Sequence, residues 1–146
     1  MSVFVANEQE LPVDEVRIAS IARHTLRSEE VQAEMELSVL LVAPEHIRTL
    51  NSRFAGHDYA TDVLAFPMME DEEEFGPMLG DVVICPEIAR ANAGRYGNGF
   101  RQELDTLVVH GTLHLLGYDH QVKEERARMD ARLRELLTSF DTARDG

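Results

Sequence analysis

The segment His110-Gly111-Thr112-Leu113-His114-Leu115-Leu116-Gly117-Tyr118-Asp119-His120 constrains the fold more than any other, because it gathers three of the chain's six histidines. At about 3.6 residues per turn, His110 and His114 leave the same side of a helix roughly one turn apart, so two imidazoles can converge on one ion. Gly117 permits an abrupt stop in the left-handed region, and His120 can then swing back toward the same ion. The spacing has a geometric purpose.

Three neutral imidazoles suit zinc or a similar borderline cation, and three protein ligands leave a fourth position for water or substrate, as catalytic sites do. Water held there ionises near neutral pH, and the cation polarises the oxygen it touches. That positive charge also gives an anionic phosphodiester a place to bind. Taken singly, each histidine reads more simply as a surface, hydrogen-bonded or pH-sensitive residue. Three at this spacing around a helix stop favour metal. A closed structural site with Asp119 as fourth ligand is the alternative, strained by its adjacency to His120. His24, His46 and His57 are scattered, and the first two read as ordinary side chains.

The 146 residues and the 44% hydrophobic share suffice for one domain, 1–146, with a real core. No apolar run approaches the roughly 18 residues that cross a bilayer, and Met1 to Glu10 lacks the features of a secretory signal, so a cytoplasmic protein without membrane association is expected. Cys85 stands alone, within Val82-Val83-Ile84-Cys85, and reads as a small buried hydrophobe in a strand. A net charge of −13 counts against RNA as a partner, since phosphate binding generally uses a basic face. Part of the excess is the run Glu70 to Glu74, which reads as a solvated loop.

Val3 to Val5 predicts a short strand. Pro12 opens a helical stretch with Val16, Ala19, Ala22 and Leu26 on one face. Leu37 to Val42 reads as a buried strand, and Pro44 opens a helix carrying Ile47, Leu50 and Phe54, followed by a loop from Ala55 to Asp62. Val63 to Phe66 and Leu79 to Cys85 are strand-like, the second a continuous apolar run of the kind found inside sheets. A helix from Pro86 to Tyr96 breaks at Gly97-Asn98-Gly99, a mostly buried helix runs from Phe100 to Leu116, and a last one extends to about Leu137. The fold class is α+β, a small mixed sheet packed around the Phe100 helix, with further helices surrounding it.

The histidine spacing also resembles that of the metzincin peptidases. Those enzymes carry a general-base glutamate directly after the first histidine, where this chain has Gly111. A metallopeptidase therefore ranks third among the readings. From His110 to His120 the chain resembles, without a mismatch, the H-G-x-L-H-L-x-G-Y-D-H signature of the YbeY endoribonuclease family. The likeness continues through Leu50-Asn51, Asp58, Thr61-Asp62-Val63-Leu64-Ala65-Phe66-Pro67 and Leu79-Gly80-Asp81-Val82, in the family's order and spacing. It implies a metal-dependent, single-strand-specific endoribonuclease in bacterial ribosomal RNA maturation and ribosome quality control. His110, His114 and His120 would be its zinc ligands, and RNA and the small ribosomal subunit its partners.

One position departs from the family, which places an arginine after the aromatic residue that follows Leu-Asn; here Phe54 is followed by Ala55. An arginine there could clamp phosphate through paired hydrogen bonds. Arg53 is the nearest substitute, and Arg95 and Arg101, flanking the glycine loop, are further candidates. Arg53 and Asp62 are the candidate substrate-binding residues. Thr61 and Asp62 can equally brace the start of the strand, and Asp119 can orient a ligand or move a proton, so no general base is assigned. The runner-up is a ribosome-assembly binding protein whose metal site is mainly structural, and the absence of arginine at position 55 favours it.

Overall fold

The apolar run Met78–Ile84 becomes an inner strand, as a segment buried on both faces should. The computed structural model describes residues 1–68, 77–118 and 122–145. Along the chain lie β1 (Ser2–Glu8), α1 (Glu15–Ser28), β2 (Glu36–Val42), α2 (Pro44–Ala55), β3 (Val63–Pro67), β4 (Met78–Ile84), α3 (Pro86–Tyr96), α4 (Phe100–Leu115) and α5 (Lys123–Asp145). The four strands form one sheet in the order β1-β2-β4-β3. β1 and β4 run parallel to β2, while β3 pairs antiparallel with β4, so the sheet is mixed and the α+β expectation holds. Among the described residues no helix is long and apolar enough to cross a membrane.

Alternation along the strands divides the interior into two apolar layers. Leu37, Val39 and Leu41 of β2, with Val82 and Ile84 of β4, meet α1, α4 and α5 on one face. Val42 and Val83 face the other way, toward Ile47 of α2. α4 touches α1, α3, α5, β3 and β4, which makes it the helix about which this side of the molecule is built.

Several boundaries differ from the sequence reading, each for a local reason. α1 begins at Glu15, not Pro12, because the Asp14 carboxylate accepts a hydrogen bond from the Arg17 N–H at 3.0 Å and caps the helix there. Its buried face carries Ile18, Ile21, Ala22, Thr25 and Leu26, whereas Val16 is 77% exposed. β1 runs to Glu8 because its whole length pairs with β2. Phe54 is 63% exposed and meets Phe66 edge to face, with ring centres 5.6 Å apart, instead of joining Ile47 inside. Cys85 is buried as expected but caps α3, one residue beyond the strand, and burial pushes its thiol pKa up.

α5 continues past Leu137 to Asp145. Thr138, Ser139 and Thr142 are weak helix formers, yet buried Phe140 lies under the Arg17 guanidinium, 5.2 Å from its ring centre, and tertiary packing overrides propensity. His24 also packs there, its Nε2 2.7 Å from the Ser139 hydroxyl. Burial, then the charges of Arg27 and Arg132, lower its pKa, so the ordinary structural reading of His24 holds.

One buried ion pair ties α1 to α4. Arg17 donates from Nε to Asp105 Oδ1 at 3.0 Å and from a terminal nitrogen to Oδ2 at 2.7 Å, with side chains only 7% and 11% exposed. Asp141 of α5, at 3.5 Å, is a weaker and exposed second partner. Removing one member of such a pair strands the other charge in a poorly hydrated site. Asp105→Ala is expected to lower stability by about 3–5 kcal/mol, seen as a reduced denaturant midpoint at unchanged slope. The paired change Arg17→Met with Asp105→Leu should recover most of that loss.

Candidate functional site

α4 starts after Gly99, whose N–H donates to the Gln102 side chain at 3.3 Å, and it is buried on most of its circumference. The least enclosed stripe carries Glu103, Thr106, His110 and His114, spaced by three, four and four residues as one helix face requires. His110 and His114 are both half-buried, one turn apart in the last two turns. The structure therefore brings these two predicted residues together. The third, His120, lies outside the described residues, as do Asp119 and the acidic run Glu70 to Glu74.

Gly111, between the two histidines, rests directly on the sheet. A Cβ at this position would stand 2.6 Å from Cγ1 of Val82 and 3.4 Å from Cγ2 of Val63. Any side chain there would force the helix off β4 and carry the imidazoles with it. A peptidase-type glutamate at this position has no room, which adds a steric objection to the chemical one. α4 then ends in a paired turn: Gly117 N–H donates to the His114 carbonyl at 3.1 Å, Tyr118 N–H donates to the Leu113 carbonyl at 3.2 Å, and Gly117 has φ +100°. This double closure at a positive-φ glycine is the Schellman arrangement.

The residues present fit a borderline divalent cation. Two imidazole nitrogens on one stripe are suitable donors, and the negative end of the helix dipole favours positive charge beside the last turn. Half-burial also lets the rings be reached from solvent while neighbouring core residues limit their motion.

Asp62 stands at the start of β3, near the other end of the stripe. Its Oδ2 accepts from Asn92 of α3 at 3.3 Å, its Oδ1 accepts from the Thr61 hydroxyl at 3.4 Å, and its carbonyl accepts from Cys85 N–H at 2.9 Å. These bonds brace the junction of β3 with α3. Burial, then the nearby charge of Asp62, raises the pKa of Glu103, opposed by a hydrogen bond from the Asn98 side chain. Reading the sequence overlooked Glu103, although its place seven residues before His110 on the same stripe was the available signal.

The basic candidates are dispersed. Arg53 is exposed on α2, its guanidinium 5.8 Å from the Phe54 ring centre, and Ala55 is exposed at the end of that helix. Arg95 and Arg101 are exposed on either side of the glycine loop. Asn51 is structural: nearly fully buried, it donates to the Tyr59 carbonyl at 3.0 Å and its own carbonyl accepts from His57 N–H, shaping the loop before β3. His57 lies against Tyr59, with ring centres 5.6 Å apart. Exposed His46 helps line an apolar groove of about 560 Å³ between α2 and the sheet, with Leu50, Phe54, Phe66 and Asp81.

Two measurements test this geometry. Gly111→Ala gains about 1 kcal/mol of helix propensity but overpacks a stiff, fully buried valine at a cost of about 1–3 kcal/mol, so a lower thermal midpoint is expected. Adding Val82→Ala should restore part of it if the contact is the cause. For Glu103, a raised folded pKa means that the native state holds the proton more tightly than the unfolded chain. Its contribution to stability is fully present below the unfolded value and is lost as pH rises through the folded one. Glu103→Gln is therefore expected to raise the midpoint at neutral pH, the gap closing as pH falls toward the ordinary glutamate value of 4.5. An equal gap at both pH values would rule out ionised Glu103 as the source.

Comparison with known proteins agrees with the signature. The family model described as Endoribonuclease YbeY matches residues 4–141. A protein of that name from Salinispora tropica is 43% identical across 99% of both chains. Another from Thermobifida fusca is 44% identical across 96% of this chain and 94% of that protein. The solution structure of TM1509 from Thermotoga maritima shares the fold with a TM-score of 0.61 at 29% identity, covering 97% of this chain and 93% of that one. With a family match over nearly its whole length and two signature histidines on one stripe of α4, the chain belongs to the endoribonuclease YbeY family.

Proposed function

We propose that this endoribonuclease YbeY family member is a zinc-dependent endoribonuclease that cleaves single-stranded ribosomal RNA during rRNA maturation and ribosome quality control in the cytoplasm. His110, His114 and His120 would hold the metal, and the small ribosomal subunit is the expected partner. The observation that carries the reading is the pairing of His110 and His114 on the open stripe of α4 in a chain that matches this family over residues 4–141. Another divalent transition metal would suit the same donors.

When bound, zinc supplies a Lewis acid for the phosphodiester and acidifies water at neutral pH. The protein's own contribution is placement. Close packing at Gly111 sets the height of the imidazoles over the sheet, and the turn at Gly117 sets where the chain leaves the helix. Asp62, fixed by Asn92, and Arg53 are the candidate substrate contacts. Asp62 is the better placed of the two, because Glu103 of the histidine stripe feels its charge.

A second reading, a ribosome-assembly binding protein with a mainly structural metal, draws on Ala55, which removes the cation expected at the end of α2. The deciding experiment compares zinc-loaded wild type with His114→Ala on single-stranded ribosomal RNA, with metal content and circular dichroism taken on the same samples. The expected outcome is one zinc per wild-type chain and cleavage that disappears with the metal while the fold persists. An inert wild type that nevertheless holds zinc would transfer support to the assembly reading.

A further inference from the structure

The face of the sheet turned away from α4 carries a phenylalanine on each edge strand, and the strand registers put both in one row. Phe4 of β1 pairs with Ser38 of β2, Ser38 with Asp81 of β4, and Asp81 with Phe66 of β3. Side chains alternate along a strand, and partners across a ladder share a face. Val3, Leu37, Val39 and Val82, the neighbours of these residues, pack toward α1, α4 and α5, so the row points the other way. α2 covers the next row, where Leu40, Val83 and Leu64 join Ile47 and Leu50, and leaves this one half open. Phe4 is 54% exposed, while Ser38, Asp81 and Phe66 are half-buried.

A singly exposed phenylalanine needs no explanation. Here, however, exposed Phe54 also stands edge to face on Phe66, and the groove of about 560 Å³ beside them has Asp81 in its wall. The Ser38 hydroxyl makes no hydrogen bond among the described residues. Ring faces at both ends of a row and short polar side chains between them match what an unpaired nucleobase needs, since bases stack on aromatic rings and hydrogen-bond through their edges. Four-stranded RNA-reading sheets stack about two or three bases in this manner. Phosphate is the wrong ligand for the row: among the described residues no lysine or arginine lies in it or lines the groove, and Asp81 carries negative charge. A base is neutral, and its amino groups donate to hydroxyls and carboxylates. Phe4 and Phe66 stand three strand spacings apart, about 14 Å, so they would hold different bases of one strand.

The row lies near the histidine helix without belonging to it. Gly80, next to Asp81 in the groove wall, has no space for a side chain: a Cβ would collide with the Phe66 carbonyl oxygen and stand 3.1 Å from Cδ2 of Leu115, the residue after His114. A strand on the row can therefore pass around the β3 edge toward the histidine stripe. We infer that Phe4 and Phe66, with Ser38 and Asp81 between them, form a stacking platform for unpaired bases of single-stranded RNA on the sheet face opposite α4. The inference rests on the RNA-cleaving reading of this chain and adds a binding surface outside the candidate metal centre.

The test is the affinity of the metal-free protein for a fluorescein-labelled single-stranded RNA, followed by anisotropy so that cleavage does not intervene. Phe4→Leu and Phe66→Leu keep apolar bulk and lose the ring, and thermal midpoints of the same samples separate folding from binding. Each is expected to weaken binding about fivefold or more, as loss of one base–aromatic stack does, while Phe4→Tyr stays close to wild type. The dependence of affinity on salt should keep its slope, because no phosphate contact is removed. A duplex of the same sequence should bind far more weakly, its bases being stacked on one another. Wild-type affinity in both leucine variants overturns the inference and fits a face that serves a protein partner, and duplex binding equal to that of the single strand overturns it too. Metal-free wild type that binds no RNA also overturns the inference; if the zinc-loaded protein cleaves none either, the RNA-cleaving reading falls with it.

Discussion

The contact between Gly111 and Val82 sets the distance from α4 to the sheet, and much of the site geometry depends on it. Helices on sheets ordinarily keep a side-chain layer between the two backbones. Here the missing Cβ removes that layer at one point, where even a methyl group would stand 2.6 Å from a fully buried valine carbon. His110 and His114 flank this point, so their height above β4 is a packing property and not a loop property. Sites carried on rigid elements hold their donors more accurately than sites on loops.

Charged groups withdrawn from water tie α1 to its neighbours near both of its ends. Toward its start, Arg17 donates from Nε and from a terminal nitrogen to the Asp105 carboxylate of α4. At the other end of α1, Glu29 accepts a hydrogen bond from Arg132 of α5 at 3.0 Å. α5 closes both ties, with Phe140 under Arg17 and Arg132 on Glu29. Their weight differs from that of the exposed Arg48–Asp58 pair, whose side chains are 58% and 70% exposed. Solvent screening leaves such a surface pair worth little, whereas breaking the buried Arg17–Asp105 pair leaves a charge without its partner in a poorly hydrated site.

The charge balance is the least favourable feature for binding a polyanion. With a net charge of −13, long-range attraction cannot bring RNA to the surface, and a local cation must offset the general repulsion. A divalent ion beside His110 and His114 would supply that charge where the two rings stand. Arg53, Arg95 and Arg101 are each exposed, and none replaces an arginine at position 55 in sequence, so substrate affinity in this chain is expected to depend more on the metal than on side-chain cations.

The order of most elements, the mixed α+β class and the helix carrying His110 and His114 were legible in the sequence, because apolar periodicity, proline at helix starts and glycine at helix ends are local signals. Pro86, Gly97 and Gly117 mark boundaries that the structure reproduces within a residue or two. The reach of α5 to Asp145 was not legible, since Phe140 and Arg17 are far apart in sequence and only packing shows why weak helix formers stay helical. Nor could spacing reveal that Glu103 feels Asp62, or that Glu29 at the end of α1 meets Arg132 of α5. By itself the sequence determined which residue types recur at helical spacing and where the chain can turn. Tertiary structure alone decided how close the histidine helix comes to the sheet and which distant charges tie the helices together, because both arise from contacts between segments that no local pattern relates.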